Sequence, residues 1–535
     1  MRFLISLSIL CAVASCKTPS TQTVTASSEQ ETSVSAVDET TKYKVLDSKY
    51  ITRQDIFEDI EVDETRFRES EKLNSLILEK SIPELQLAVD KGLFTYEDLT
   101  VFYLNRIYKY DRENKLSLNA VISINPKAIE QARALDEARA TEKRLPQSPN
   151  RLEGMPILLK DNINTADMPT TAGAAILQKN QTKDAELVSR LKESGAIILG
   201  KANLSEWAYF FCGDCPSGYS AVGGQTLNPY GRMVMDTGGS SSGSGVAVAA
   251  NFAVAAVGSE TSGSILSPSS QNSVVGLKPT TGAISGSGVV PISSYLDTAG
   301  PMTKNVIDNA ILLKALATDP KDYVKAAQNA NVENVRLGYY KRYMEQPLYA
   351  KAIKDLESQG AVLVEMQPER PKLDGFLTLL NVDMIRDLPT YFKQDAATTF
   401  VDWDINKVMA WNKQDSTRTM PYGQKLFQGI IDEKMTSASD ITALKTRLTT
   451  TAQEHFKGLM TTYNVEGFVS INNYNAGEAA VAFYPGITVP MGYNASGEPM
   501  GLTFFAPSGE ELKLYTWAAA YERASKNRKM PANYN

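Results

Sequence analysis

The sequence predicts an α/β fold in which a mixed or parallel sheet is covered by helices. Three stretches support this prediction: residues 155–208 alternate strand, helix and strand patterns, residues 246–260 combine an Ala/Val-rich helix with a strand, and residues 484–526 place two strands before a helix. Such alternation is typical of sheets with helices packed on them. A chain of 535 residues is long enough for one large domain or for two or three smaller ones.

The first predicted helices begin after residue 80. Residues 82–92 place Leu85 and Val89 four positions apart, the spacing of one helix face. A second helix is expected to begin at Thr95, because a Thr followed three residues later by Asp98 resembles a capping box. A short apolar run and a third helix follow within residues 119–144, on either side of a proline.

The stretch MPILLKDN, residues 155–162, predicts a buried strand that ends in polar side chains. Residues 184–194 have a helical pattern that Gly195 is expected to end, and AIILG, residues 196–200, predicts the next strand. By contrast, residues 305–470 are rich in polar residues, have a helical pattern and contain no motif that can be interpreted.

The composition indicates a soluble globular protein. Hydrophobic residues make up 43% and charged residues 22% of the chain, and the formal net charge is −6. No run of Lys or Arg provides the concentrated basic surface that phosphate binding requires. Nucleic acid is therefore not expected as a partner.

The N-terminus predicts export. One Arg precedes an apolar run over residues 3–13, which is too short to span a membrane and is typical of a signal peptide. Residues 13–16, VASC, resemble the lipobox of bacterial lipoproteins, which predicts a signal peptide over residues 1–15 and a lipid on Cys16. An ordinary signal peptide is the alternative. We expect a cell-envelope protein, on the periplasmic or outer-surface side, with residues 16–48 as a disordered Ser/Thr-rich tether.

Two further cysteines, Cys212 and Cys215, lie close together in the sequence. In an exported protein this pair can close a small disulfide loop or remain as free thiols. A redox-active pair is disfavoured, because no strand and helix pattern flanks it. A zinc site is disfavoured as well, since two thiols and one distant histidine do not supply four ligands. No metal and no cofactor are expected.

Two serine-rich clusters, GGSSSGSG at residues 238–245 and GSETSGSI at residues 258–265, suggest a serine nucleophile. The only histidine, His455, lies in a helical stretch far along the chain, so a Ser-His-Asp triad is disfavoured. A lysine can act as the base if burial keeps it neutral. Lys160 follows a buried run, although a charged residue at the end of a strand is the simpler interpretation, and Lys201 and Lys278 have similar contexts.

The glycines in both clusters allow close approach of the backbone to a ligand. Consecutive free N–H groups form an anion-binding nest, and a hydroxyl beside them would face an oxyanion hole. A flexible linker is the alternative, but apolar runs flank both clusters closely. A phosphate-binding P-loop is excluded because the Gly-Lys-Ser/Thr sequence is missing.

Taken together, these motifs resemble the amidase signature family, which includes peptide amidase and the amidotransferase A subunit. The resemblance covers residues 80–535 and implies one large domain, with a central mixed sheet covered on both sides by helices and a variable helical region over residues 305–470 that forms the substrate pocket. The matching stretches are LLKDNINTADMPTTAGA (158–174), LGKANLSEWA (199–208), GGQTLNPYG (223–231), GGSSSGSGVAVAA (238–250), GSETSGSILSPSS (258–270), VGLKPTTG (275–282) and YPGITVPMGY (484–493).

The resemblance also implies a catalytic unit of Lys160, Ser240 and Ser264. Ser264 corresponds to the nucleophile, and Ser240, expected after a cis peptide bond, passes a proton between Ser264 and neutral Lys160. The implied substrate is a small-molecule or peptide amide, cleaved to an acid and an amine or ammonia. The implied oxyanion hole consists of the backbone N–H groups of Thr261, Ser262, Gly263 and Ser264, and the implied supporting residues are Gly239, Ser241 and Ser242.

Two positions depart from the family pattern. Ser262 stands where many members have Asp or Gly, and Leu266 stands where several have Arg or Val, which changes the expected pocket shape. A catalytically degenerate binding lipoprotein is the main alternative. The amidotransferase A subunit is disfavoured by the export signal and by LSEWA at residues 204–208.

Overall fold

The structure is a computed structural model that describes residues 46–141 and 148–535. The predicted signal peptide, the predicted lipid site at Cys16 and nearly all of the predicted tether lie outside these residues. Among the helices described, none is both long and apolar enough to cross a membrane.

The centre of the fold is an eleven-stranded mixed sheet, accompanied by a two-stranded hairpin. The strands of the described chain are β1 (Val121–Ile124), β2 (Pro156–Lys160), β3 (Ile197–Ala202), β4 (Tyr219–Ser220), β5 (Gly224–Gln225), β6 (Ala255–Glu260), β7 (Val275–Lys278), β8 (Thr298–Thr303), β9 (Arg336–Tyr340), β10 (Val362–Met366), β11 (Gly467–Ile471), β12 (Gly486–Tyr493) and β13 (Pro499–Phe505).

The large sheet has the strand order β1-β3-β2-β6-β8-β7-β12-β13-β11-β9-β10. Strands β3, β2 and β6 are parallel neighbours, and so are β11, β9 and β10, whereas the remaining neighbours are antiparallel. Every residue of β2, β3, β6 and β13 is buried. Since successive side chains point to opposite faces of a sheet, both faces are covered there.

Helices supply this cover. The helices of the described chain are α1 (Arg53–Phe57), α2 (Glu64–Glu69), α3 (Asn74–Ile77), α4 (Ile82–Asp90), α5 (Tyr96–Tyr110), α6 (Ala128–Thr141), α7 (Glu186–Glu193), α8 (Ser242–Ala249), α9 (Leu266–Gln271), α10 (Val306–Leu316), α11 (Tyr323–Gln328), α12 (Pro347–Ser358), α13 (Phe376–Gln394), α14 (Ile405–Asn412), α15 (Ser416–Thr419), α16 (Lys425–Ile431), α17 (Ala438–Tyr463), α18 (Ala476–Ala482) and α19 (Glu511–Ser525). The predicted α/β fold, a mixed sheet covered by helices, is confirmed.

Local signals placed several elements correctly. The Thr95 side chain accepts a hydrogen bond from the backbone of Asp98, and Asp98 in turn caps Thr95, so the expected capping box is present at the start of α5. Gly195, between α7 and β3, has a φ of 77°, a left-handed conformation that glycine adopts readily.

The folded region begins earlier in the chain than residue 80. Helices α1 to α3 precede α4, and the backbone of Gln225 in β5 donates to the carbonyl of Leu46. The hydroxyl of Ser48 also donates to the carbonyl of Val222, at 2.6 Å. These helices are short and bury at most one residue each, so their sequence lacks the long apolar stripe from which a helix is predicted.

Residues 305–470 are mostly helical, as their pattern predicts, and they include α10 to α17. They also contribute β9 and β10, which extend the sheet to its far edge. Strand β10 is only partly buried, because it has one neighbouring strand, so its sequence carries a weak strand signal.

Candidate active site

Polar residues collect where the neighbouring parallel strands β2 and β6 end. Lys160 is the last residue of β2 and Glu260 is the last residue of β6. The ends of parallel strands meet at one edge of a sheet, and in α/β proteins ligands bind at the carboxyl ends. The first turn of α8 and the turn before α9, which hold the two serine clusters, reach the same place.

Lys160 is completely buried. Its Nζ lies 2.7 Å from Ser240 Oγ, 2.9 Å from Ser259 Oγ and 3.1 Å from the Ser259 carbonyl oxygen. Burial lowers the pKa of Lys160 to about 7, against the opposing effect of the Asp297 and Glu260 carboxylates. A large fraction of this lysine is therefore neutral at neutral pH.

Ser240 is also completely buried and follows a cis peptide bond with Gly239, as the family resemblance implies. The carbonyl oxygen of Ser240 accepts a hydrogen bond of 3.0 Å from the backbone N–H of Ser205. A Cβ atom at residue 239 would lie 2.7 Å from Ser205 Oγ, so a side chain here would displace Ser205. The loop thus holds the Ser240 hydroxyl against Lys160.

The two serines after Ser240 form hydrogen bonds within the site. The Ser241 hydroxyl donates to the Ser259 carbonyl at 3.0 Å and accepts from the Ser259 N–H at 3.2 Å. The Ser242 hydroxyl donates to the carbonyl of Gly238 at 2.6 Å. Ser241 therefore connects the cluster at residues 238–245 to β6, and Ser242 connects two ends of the cluster, which agrees with supporting roles.

Ser264 is more accessible than the other two residues of the implied catalytic unit, because it is only half-buried. The backbone N–H of Ser241 donates to its carbonyl oxygen at 3.1 Å, so the turn that carries Ser264 is attached next to Ser240. Within the described chain, the Ser264 hydroxyl itself has no hydrogen-bond partner. Glu260 holds the turn from inside by accepting from the N–H groups of Ile265 and Leu266 at 2.8 and 3.0 Å.

The turn also presents free backbone donors. In the part of the chain that the structure describes, the N–H groups of Ser262, Gly263 and Ser264 donate to no acceptor. Gly263 has a φ of 89°, and a Cβ there would lie 2.9 Å from Asn473 Nδ2. The Thr261 hydroxyl donates to Asp297 at 2.5 Å, which anchors the start of the turn. This is the geometry of an anion-binding nest.

Three residues of this site were not singled out from the sequence. Ser259 contacts Lys160 through two oxygens, Asn162 Nδ2 donates to Ser259 Oγ at 2.9 Å, and Asp297 accepts from Thr261. Ser259 and Asn162 lie inside the quoted motifs, but no local signal distinguishes them from the neighbouring polar residues. Asp297 lies outside those motifs, and nothing in the sequence near it indicates the site.

The other candidate bases are not in this position. Lys201 forms a buried ion pair of 3.1 Å with Asp161, and Lys278 is buried without a hydrogen-bond partner in the described chain. His455 lies on α17, where its ring packs against Phe456 with 5.5 Å between the ring centroids. Only Lys160, of these four residues, touches a serine of the two clusters.

Cys212 and Cys215 form a disulfide, with 5.9 Å between their Cα atoms. The loop that they close leads to Gly218, whose N–H donates to Ser205 Oγ at 2.8 Å, so it supports the residue that contacts Ser240. No group of three or more His, Cys, Asp or Glu side chains that could hold a metal ion occurs among residues 46–141 and 148–535.

An α/β fold with a buried lysine hydrogen-bonded to a serine, beside a second serine and free backbone donors, has the parts of a hydrolase that needs no histidine. Comparison with known proteins shows the family to which this chain belongs. The family model "Amidase" matches residues 98–514, and the chain belongs to this family.

Individual relatives agree with this assignment. A probable amidase of Arabidopsis thaliana is 34% identical over 493 residues, which cover 85% of this chain and 92% of that protein. The crystal structure of an amidase family protein from Bacillus anthracis has a TM-score of 0.84 and 35% identity, and covers 91% of this chain and 99% of that one. Native peptide amidase from Stenotrophomonas maltophilia has a TM-score of 0.78 and 35% identity, with coverage of 85% and 98%.

Amidotransferase A subunits are relatives as well. The A-type component of the glutamyl-tRNA(Gln) amidotransferase from a Cereibacter sphaeroides strain is 29% identical over 84% of this chain and 97% of that protein. The amidases above are more similar to this chain in sequence than this A subunit is. The protein is therefore an amide-hydrolysing enzyme of the amidase signature family.

Proposed function

We propose that the enzyme cleaves a carboxamide C–N bond through an acyl-enzyme on Ser264, with Ser240 and Lys160 as the proton relay. The observation that carries this proposal is the completely buried hydrogen bond between Lys160 and Ser240, 2.7 Å long, beside the turn of Ser264. Activating a serine requires a base that is neutral before the reaction. Lys160 meets this requirement because burial lowers its pKa to about 7.

In the first half of the reaction, the Ser264 oxygen bonds to the carbonyl carbon of the amide. Its proton passes to Ser240, and the Ser240 proton passes to Lys160, which becomes an ammonium group. The Ser264 hydroxyl turns toward Ser240 when substrate binds; catalytic hydrogen bonds commonly close only in the substrate complex. The half-buried position of Ser264 lets the substrate reach it, whereas Lys160 and Ser240 stay out of solvent.

The negative charge of the tetrahedral intermediate lies on the former carbonyl oxygen. The N–H groups of Thr261, Ser262, Gly263 and Ser264 are proposed to bind it, and the free state of three of them supports this. Each such donor is commonly worth about 3 kcal/mol in the transition state. The left-handed φ of Gly263 turns the backbone so that successive N–H groups converge.

The relay then runs in reverse. The C–N bond breaks, and the departing nitrogen takes the proton that Lys160 returns through Ser240, because an unprotonated amide nitrogen is a poor leaving group. In the second half, water attacks the acyl ester and gives its proton to the same relay. The products are a carboxylic acid and an amine or ammonia, and Ser264 is restored.

A fluorophosphonate probe tests this assignment, since it reacts with activated serines. We expect the purified protein to be labelled and to hydrolyse amides, and Ser264→Ala to lose both properties. Ser267→Ala is the matched control, because this half-buried serine lies three residues further along, in α9. Labelling of Ser264→Ala at the wild-type rate would refute the nucleophile assignment, and a folded wild type that is never labelled would favour a degenerate binding protein.

For the substrate, we propose a carboxamide of peptide type. The similarity to a peptide amidase, at 35% identity over 85% of this chain, supports this class. Ammonia release from a C-terminally amidated peptide should exceed release from small aliphatic amides, and the same peptide with a free carboxylate should release none. Hydrolysis that requires glutamine and added partner proteins would instead indicate a component of an amidotransferase.

For localisation, we propose a lipoprotein of the bacterial cell envelope, anchored through Cys16 after removal of residues 1–15. The apolar run over residues 3–13 and the sequence VASC support this. A clickable palmitate analogue should label the wild-type protein in cells and should not label Cys16→Ala. Equal labelling of the two proteins would contradict the proposal.

A further inference from the structure

We propose that Ser259 is a positioning residue for the reaction, because its two oxygens take the two hydrogens of neutral Lys160 and direct the amine lone pair toward Ser240. This inference rests on the proposed function, in which Lys160 must accept a proton from Ser240. The atoms involved are all buried: Ser259 is 4% exposed, and Lys160 and Ser240 are 0% exposed.

Oxygen atoms of two serines surround Lys160 Nζ. Three oxygens lie within hydrogen-bond distance: Ser240 Oγ at 2.7 Å, Ser259 Oγ at 2.9 Å and the Ser259 carbonyl oxygen at 3.1 Å. An ammonium group has three hydrogens and no lone pair, whereas the neutral amine has two hydrogens and one lone pair. One of the three oxygens must therefore become the donor when the lysine is neutral.

Two of these oxygens, Ser240 Oγ and Ser259 Oγ, belong to hydroxyl groups and can donate to the lone pair. A carbonyl oxygen can only accept, so the Ser259 carbonyl takes one N–H of the amine. Ser259 Oγ accepts from Asn162 Nδ2 at 2.9 Å, and in the proposed arrangement its second lone pair takes the other N–H of the amine. The shortest contact, to Ser240 Oγ, is then left for the lone pair, so the Ser240 hydroxyl donates its proton in the direction that the relay needs.

Ser259 can hold the lysine because it is itself held. It lies within β6 and pairs with Ala299 of β8. Its N–H donates to Ser241 Oγ at 3.2 Å, and the same hydroxyl donates to the Ser259 carbonyl at 3.0 Å. Asn162 is fixed too, because its carbonyl accepts from the N–H of Val290 at 2.8 Å.

Removing the Ser259 hydroxyl should have two effects that can be separated. The neutral amine loses one of its two acceptors and can rotate away from Ser240. This lowers kcat/KM on the high-pH plateau, where the lysine is already neutral. The ammonium form also loses a charge-assisted hydrogen bond, which is stronger than the bond of the neutral amine. Its loss lowers the pKa of Lys160, so the acidic limb of the rate profile moves to lower pH.

The experiment compares pH profiles of kcat/KM for the wild type, Ser259→Ala, Ser259→Thr and Ser244→Ala. Ser259→Ala should lower the high-pH plateau of kcat/KM about tenfold, through kcat and with little change in KM, as expected for one lost hydrogen bond. The acidic limb of its profile should move to lower pH. Ser259→Thr keeps the hydroxyl and should recover most of the rate. Ser244→Ala is the matched control: this buried serine contacts the carbonyl of Val257 on β6 and should leave limb and plateau unchanged.

A Ser259→Ala profile equal to that of the wild type would overturn the inference. The inference would also fail if the plateau fell, the acidic limb stayed in place and Ser259→Thr did not restore the rate. If the alanine variant does not fold, Ser259→Cys keeps the volume with a weak acceptor and should change the profile in the same direction. Lys160→Met separates the two proposals. Its full activity would refute the relay itself, whereas an inactive Lys160→Met beside a fully active Ser259→Ala would refute only the positioning role.

Discussion

The titration of Lys160 predicts the pH dependence of the enzyme. Burial lowers its pKa from 10.5 to about 7, and the reaction requires the neutral form. With a pKa of about 7, about half of the lysine is neutral at pH 7, about 10% at pH 6 and about 1% at pH 5. An ordinary lysine would be neutral in only about 0.03% of molecules at pH 7. Burial thus supplies about a thousandfold more active base.

The assay is ammonia release from an N-acetylated amino-acid amide between pH 5 and pH 10, because this substrate has no group that titrates in the range. We expect kcat/KM to rise about tenfold per pH unit below pH 7 and to level off above pH 8. Lys160→Arg should be inactive at every pH, because a guanidinium does not deprotonate in a protein. A profile that still rises at pH 10, or activity in Lys160→Arg, would refute the reasoning.

Three further predictions concern the same site. The folded protein holds Lys160 at a pKa below its unfolded value of 10.5, so wild-type stability falls as the pH drops from about 10.5 to about 7. Denaturant titrations of the wild type and Lys160→Met measure this: the difference between their free energies of unfolding should change by about 1.4 kcal/mol per pH unit across that window. A difference that stays constant with pH would contradict the prediction. The Asp297 carboxylate raises the pKa of Lys160, so Asp297→Asn should move the acidic limb of kcat/KM to lower pH, and an unmoved limb would show that this charge does not act on Lys160. Gly263→Ala, strained at a φ of 89° and 2.9 Å from Asn473 Nδ2, should lose about a hundredfold in kcat while melting cooperatively; wild-type turnover would exclude this turn from the oxyanion site.

Much of the fold was predictable because its signals are local. The run Ile157 to Leu159 predicts a buried strand, Thr95 and Asp98 predict a helix start, and Gly195 predicts a helix end. These features depend on backbone propensities and hydrogen bonds within a few residues. Helices α1 to α3 were not predicted, because short helices with at most one buried residue lack the apolar periodicity on which such a prediction rests.

The site was only partly predictable. Ordered motifs connected Lys160, Ser240 and Ser264 through the family resemblance, and the structure puts the first two in contact. The role of Ser259 was not visible, because nothing nearby in the sequence distinguishes it from the other serines of its cluster. Its contact with Lys160 comes from the adjacent, parallel arrangement of β2 and β6.

Three of the buried lysines show where the sequence alone reaches its limit. Lys160, Lys201 and Lys278 all stand at or near the ends of buried strands, so sequence patterns treat them alike. Their chemistry differs because Lys201 pairs with Asp161, Lys278 has no hydrogen-bond partner among the described residues, and Lys160 faces hydroxyl groups. The partners of Lys160 lie 80 and 99 residues further along the chain. Strands and turns follow from neighbours in sequence, whereas the pKa of a buried base follows from neighbours in space, and these exist only once the sheet has assembled.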